Sequence, residues 1–336
     1  MPPFLRPKYF AIIISEAYKA ARRVAIEQCS EFVADGHTFT HDLALCSLQM
    51  HGQVASASLD PGKITPSLAA GLPHFTRDWA RCWGRDVFIS LRGLFLTTGN
   101  FEGARKHILA FASTLKHGLI PNLLDSVRNP RYIALRISRP WVLTRFRYNS
   151  RDSPWWMLQN IQDYCEMAPD GYSILNESVK RRFPKDDTWV PWDDPKAYSY
   201  SSTIEEIIQE ILQRHAEGIS FREHNAGPNL DMQMKDEGFQ IDVKVDWNTG
   251  FTLGGSEHNC GTWMDKMGES VTARTKGVPG TPRDGAPVEI IGLLFSTLRW
   301  LSKLSGKGKF TYEGVNATSK PFLVYCRSQS SCASIS

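Results

Sequence analysis

Three short clusters along the chain combine aromatic rings, arginine and carboxylates. They are Cys82-Trp83-Gly84-Arg85-Asp86, Tyr148-Asn149-Ser150-Arg151-Asp152 and Asn259-Cys260-Gly261-Thr262-Trp263-Met264-Asp265, the last followed by Thr281-Pro282-Arg283-Asp284-Gly285. Aromatic faces stack on sugar rings, arginine–carboxylate forks bind hydroxyl pairs, and a desolvated acid can protonate a glycosidic oxygen. The combination points to carbohydrate chemistry. Each cluster also has a plain structural reading. Asp86 can cap a helix beside a paired Arg85, and Asp152 or Ser153 can cap the helix that follows. Trp155 and Trp156 point to different faces, so one belongs to the core. Asp265 can be a surface carboxylate paired with Lys266; alternatively, apolar Trp263 and Met264 beside it favour its protonated form, as a general acid requires. Gly84 lets the backbone approach a ligand or a second helix closely.

The elements that position these clusters are mainly helical. Phe101, Ala104, Ile108, Phe111 and Leu115 recur at helical spacing after Gly99-Asn100, and Gly118 with Pro121 ends that segment. Thr203 and Glu206 form a capping box ahead of Ile204, Ile207, Ile208, Ile211 and Leu212, with Gly218 as the stop. Pro287 suits a first helical turn, followed by Ile290, Leu294, Leu298 and Leu301. Further helices are expected near 14–33, 86–98 and 153–164. One segment alternates instead: Phe239-Gln240-Ile241-Asp242-Val243-Lys244-Val245 turns through Asn248-Thr249-Gly250 into Phe251-Thr252-Leu253, a β-hairpin. Helices joined by long polar loops, as at 181–202 and 269–286, suit an all-α toroid whose cleft is built from loops.

Composition narrows the chemistry further. The 336 residues allow one large domain or two modest ones, and 42% hydrophobic residues support a sizeable core. With 39 basic and 35 acidic residues the net charge is +4, too balanced for a nucleic-acid binder. The 7 cysteines are scattered, with neither disulfide nor zinc spacing. His224 has no partner at ligand spacing, so no metal is expected; there is no phosphate loop and no serine-nucleophile elbow. The apolar stretch within the first 15 residues is too short for a signal peptide, and no run of about 20 apolar residues spans a membrane. A reducing, cytosolic setting fits, and the sequons at Asn176 and Asn316 are then chance matches.

Together these segments resemble the amylo-α-1,6-glucosidase region of the glycogen-debranching family. The resemblance also runs through Leu91-Arg92-Gly93, His117-Gly118-Leu119-Ile120-Pro121-Asn122, Phe221-Arg222-Glu223, Asn225-Ala226-Gly227-Pro228 and Met234-Lys235-Asp236-Glu237-Gly238-Phe239. It implies an (α/α)6 barrel and an inverting hydrolysis that frees single α-1,6-linked glucose from a limit dextrin, with no cofactor. It also implies that Asp265 is the general acid and that Trp83, Arg85, Asp86, Asn149, Arg151, Asp152, Trp263 and Arg283 line the glucose pocket. The partner is glycogen or its limit dextrin, not nucleic acid or membrane.

Three departures modify that expectation. The run 132–147 is extra, Arg-rich and free of acids, and reads as translated intron sequence rather than a native loop. The family pattern stops after Val315, leaving 316–336 as a Ser-rich, disordered tail and 1–315 as a partial domain. The glucanotransferase half is absent. The family's general base is a Glu far downstream of its acid; neither Glu289 nor Glu313 matches its context, so turnover is expected to be impaired and faces at Leu294 and Leu298 exposed. The competing function is a non-catalytic α-glucan-binding module. A prenyl-cyclase-like barrel is disfavoured by the lack of an Asp-rich run.

Overall fold

The computed structural model describes residues 2–5, 8–55, 64–73, 75–76, 81–124, 147–191, 194–228, 230–282, 284–317 and 320–324. Helices dominate, and every β-pairing among these residues is short and antiparallel. At the N-terminus, α1 (Lys8–Glu27), α2 (Glu31–Ala34) and α3 (Thr38–Met50) meet around a small core of Ile26, Val33 and Ala44. Most of α1 leaves its apolar residues exposed, among them Phe10, Ile12, Ile13 and Ile14. Strand β1 (His51–Ala55) then pairs with β2 (Ile64–Leu68).

The main core forms on α4 (Gly84–Leu91), α5 (Phe101–Ala112), α6 (Ser153–Met167), α7 (Ile204–Glu217) and α8 (Val288–Gly306). Helix α6 touches α4, α5 and α8. Its Trp155 is buried in the core and Trp156 only partly so, as two adjacent positions on one helix require. Asn100 caps α5 by accepting from the Gly103 N–H at 2.9 Å, and Ala104, Ile108 and Phe111 are buried on one stripe. The capping box on α7 is formed on both sides: the Glu206 N–H donates to Thr203 Oγ1 at 3.2 Å, and the Thr203 N–H donates to Glu206 Oε2 at 2.8 Å. The five predicted aliphatic residues of α7 are all buried, and Gly218 ends the helix at φ 95°.

Helix α8 differs in phase from the sequence reading. Pro287 stands at its N-cap, just outside the first turn, and the buried positions are Ile290, Leu293, Thr297, Trp300, Leu301 and Leu304. A strict spacing of four drifts about 40° per step around a 3.6-residue turn, so Leu298 leaves the buried face while steps of three and four keep to it. Leu298 and Phe295 are exposed, and Leu294 is half-buried against the core.

The expected hairpin is β8 (Gln240–Asp246) with β9 (Phe251–Gly254), and β7 (Ile219–Arg222) adds a third strand on its other edge. Two-residue strands β3 (Cys82–Trp83) and β4 (Leu123–Leu124) hold the start of α4 against the chain after α5. Here Gly84 has a packing role: its N–H donates to Asn122 O at 2.7 Å, and a Cβ would run into the Pro121 carbonyl oxygen. Strands β5 (Ser178–Lys180) and β6 (Ser201–Thr203) form another pair. The tail expected to lack structure begins instead with a hairpin, β10 (Gly314–Ala317) with β11 (Lys320–Val324), and β10 packs on α7. Residues 325–336 and 125–146 lie outside the described residues, and so does most of the extra run.

Candidate active site

The site is organised by the Arg85 guanidinium. Arg85 is in the first turn of α4, only 4% exposed. Its Nε donates to Asp152 Oδ2 at 2.8 Å and Oδ1 at 3.0 Å, its Nη2 to Ser150 Oγ at 2.9 Å, and its Nη1 to Asp265 Oδ2 at 2.8 Å. One side chain thereby joins three clusters that are far apart in sequence. Burial works against the Arg85 charge, but Asp152 and Asp265 more than offset it, so its pKa rises.

Asp152 precedes α6 at the N-cap, yet its carboxylate makes no cap bond. It is fully buried and serves as counter-ion to Arg85, also accepting from Ser150 Oγ at 2.6 Å. Ser150 in turn contacts Ser153 Oγ. Sequence reasoning left Ser150 out of the site. Its signal was its place two residues before an acid that needs several donors when buried.

Asp265 is the open arm of the fork, with a quarter of its side chain accessible. The apolar surroundings expected for it are not there: Trp263 and Met264 are both exposed, and its nearest charged neighbour is Arg85. Oδ2 is held by Arg85. Oδ1 faces Lys266 Nζ at 3.8 Å and so points away from the buried network. Asp86 lies in the first turn of α4, not at its cap; Trp83 is the cap residue. Asp86 is open to solvent on one side and enclosed by dense protein on the other. That enclosure, together with nearby Asp265, raises its pKa despite the pull of Arg85.

Trp83 is half-buried and meets Phe75 edge-on, with centroids 6.3 Å apart. Asn149 is half-buried one residue before Ser150. Arg151 does not line the opening. It is 2% exposed, its N–H donates to Gly261 O at 2.7 Å, and its guanidinium packs on bare backbone. A Cβ on Gly254, Gly255 or Gly261 would come within 2.9, 2.8 and 2.7 Å of its nitrogens. These glycines are the seat of Arg151, a relation that sequence spacing does not reveal. Arg283 lies outside the described residues. Thus Arg85, Asp152 and Asp265 meet directly with Asp86 beside them, whereas Arg151 supports the fork's neighbourhood from within.

Arg147 was counted with the extra run, but it is built into the fold. Its N–H donates to Leu123 O at 3.3 Å, and its side chain forms a two-pronged pair with Glu223 at 2.8 and 3.0 Å. Among the described residues no group of three or more His, Cys, Asp or Glu could hold a metal ion, and no helix is long and apolar enough to cross a membrane.

A helical scaffold carrying an acid–arginine–acid fork between its loops has the making of a glycoside hydrolase. The amylo-alpha-1,6-glucosidase family pattern matches residues 45–321, and the chain belongs to that family. It is similar to the glycogen debranching enzyme of Saccharomyces cerevisiae, with 56% identity over 315 residues. That match takes in 94% of this chain and 20% of the yeast enzyme, so the chain spans about a fifth of its relative.

Proposed function

We propose that this chain binds the terminal α-1,6-linked glucose of a glycogen limit dextrin at the Arg85 fork, as part of an (α/α)6 glucosidase domain. The observation that carries the reading is the fork itself. Asp152 and Ser150 fix Arg85, Arg85 fixes Asp265 through Oδ2, and Oδ1 is left to meet a ligand. In this reading Asp265 donates the proton to the glycosidic oxygen as the bond to the anomeric carbon breaks. Trp83 and Trp263 offer ring faces to the sugar, and Asp86, Asn149 and Arg283 bind its hydroxyls. Arg85, Arg151 and Asp152 act from behind as positioning groups.

Inversion needs a second carboxylate that activates water about 6.5–9.5 Å from the acid. The downstream Glu that the family resemblance implies has no counterpart within these 336 residues. Expressed by itself, the chain is therefore expected to bind better than it turns over. Incubation with a dextrin bearing one α-1,6-glucosyl stub, with free glucose measured alongside binding, tests both parts. The expected result is binding that Asp265→Asn weakens, with glucose release far below that of an intact debranching enzyme. No binding overturns the reading. Release at the intact enzyme's rate, abolished by Asp265→Asn, overturns the impairment alone.

A further inference from the structure

A second cluster of rings lies close to the fork and takes no part in it. The Trp189 indole stacks on the His224 imidazole, with centroids 4.0 Å apart and planes 12° off parallel. The His117 imidazole stacks on Phe221 at 3.9 Å and 16°, with Tyr148 edge-on to it. Lys116 sits among these rings, its Nζ in hydrogen-bond contact with His117 Nε2 and 5.8 Å from the centre of the Phe183 ring. Trp189 is half-buried and His224 exposed.

The charge state of this cluster suits a neutral ligand. Burial, then Lys116, lowers the pKa of His224. Burial also lowers His117, with Lys116 acting in the same direction and outweighing the opposite pull of Asp187. Burial pushes Lys116 itself down to about 8. At neutral pH both imidazoles are uncharged, so each offers one N–H donor and one lone pair. Neutral donor–acceptor groups beside open ring faces match the hydroxyls and the apolar face of a pyranose.

The backbone here is held in a costly form. His117, Asp187 and Asn225 adopt φ of 57°, 62° and 60°, three of the six non-glycine residues with positive φ among the described residues. Asp187 accepts from the His117 N–H at 2.8 Å and pairs with Arg214, which fixes two of the three. Strain of this kind persists where surrounding contacts over-determine it, and it gathers at binding sites.

Position ties this shelf to the fork. Tyr148 meets His117, and Asp152 meets Arg85; four residues of extended chain span at most about 14 Å. We infer that the Trp189–His224 shelf, with His117 and Phe221, is a second binding subsite that takes a stretch of linear α-1,4-glucan. This inference rests on the glucosidase reading, since it supposes that the fork beside it takes the branch glucose.

Isothermal titration of the whole chain with maltotetraose and with isomaltose tests it. Trp189→Ala is expected to weaken maltotetraose binding about tenfold while leaving isomaltose binding unchanged. His224→Ala, at an exposed position, is expected to give a smaller loss of the same kind, and it keeps the test decisive if Trp189→Ala does not fold. Asp265→Asn is expected to do the reverse, weakening isomaltose and sparing maltotetraose. Maltotetraose binding unaltered in the folded variants overturns the subsite. An unmodified chain that binds isomaltose but not maltotetraose overturns the subsite and leaves the fork reading standing. A chain that binds neither overturns both.

Discussion

Two buried arginines in this molecule hold two carboxylates each, and the contrast between them separates a scaffold from a site. Arg85 holds Asp152 and Asp265; Arg147 holds Glu223 and, at 3.3 Å, Asp231. In both forks one acid is buried and the other about one-quarter accessible, 25% for Asp265 and 24% for Asp231. What differs is the second oxygen of the open acid. Asp231 Oδ1 accepts the N–H groups of Gln233 and Met234 at 2.9 and 3.3 Å, so both its oxygens are used in shaping a turn. Asp265 Oδ1 has no such task, and its neighbours are the raised carboxyl of Asp86 and the exposed Trp263. An arginine fork is therefore not a functional signal in itself. The signal is a fork whose outer acid retains an uncommitted oxygen beside groups that fit a ligand.

The strongest way to break the parallel is to strand the guanidinium. Asp152→Ala and Glu223→Ala each leave a buried arginine without its main counter-ion. Removing one partner of a buried pair costs about 3–5 kcal/mol. Urea unfolding should place both variants in that range, since the two buried acids are 0% and 2% accessible. A loss under about 1 kcal/mol at either one would mean that its arginine is well solvated without it, and the two forks would no longer be equivalent.

A smaller effect sharpens the same point by showing what burial does where no carboxylate stands near. His107 and His215 each use Nδ1 against a backbone carbonyl one turn back at 2.7 Å, and Nε2 of each is buried without a hydrogen-bond partner. Burial holds both near a pKa of about 4. Between about 6.5 and 4 the unfolded chain binds more protons than the folded one, so stability falls as pH falls through that window. The loss amounts to about 3 kcal/mol for each histidine once both states are protonated. His107→Gln should flatten the acid limb of stability between pH 6.5 and 4 in urea titrations. An unchanged limb would show that the ring is solvated when protonated.

The comparison also shows which parts of the molecule could be read from residues alone. The capping box and aliphatic stripe of α7 are local, and so is the alternation of β8, so both were legible. Strands β3 and β4 have two residues each and offer no period to detect, although they anchor the first turn of α4. The alliance of Arg85 with Asp265 was legible as chemistry, because both types belong in a sugar site. The fates of Arg151 and Arg147 were not. Arg151 is drawn inside by three glycines on other segments. Arg147 looked like the end of an intrusive basic run until Glu223, 76 residues later, supplied its counter-ion. The apolar setting imagined for Asp265 came from its sequence neighbours, yet adjacent residues in a loop need not enclose one another. These are non-local facts, fixed by which segment folds against which.

The smallest change in stability should accompany the largest change in ligand binding. Asp265→Asn keeps an oxygen that can accept from Arg85, and it removes a charge that is partly in water. Half-open pairs contribute about 0–1 kcal/mol, so the urea midpoint should barely move. Asp231→Ala, by contrast, loses two turn hydrogen bonds as well as the contact with Arg147, and a loss of about 1–2 kcal/mol is expected. If Asp265 is the ligand-facing acid, Asp265→Asn should still lose isomaltose affinity in isothermal titration while Asp231→Ala retains it. The opposite pairing, with Asp265→Asn unfolding early and binding normally, would make the Arg85 fork a second scaffold like that of Arg147. The search for the site would then move to the rings around Trp189.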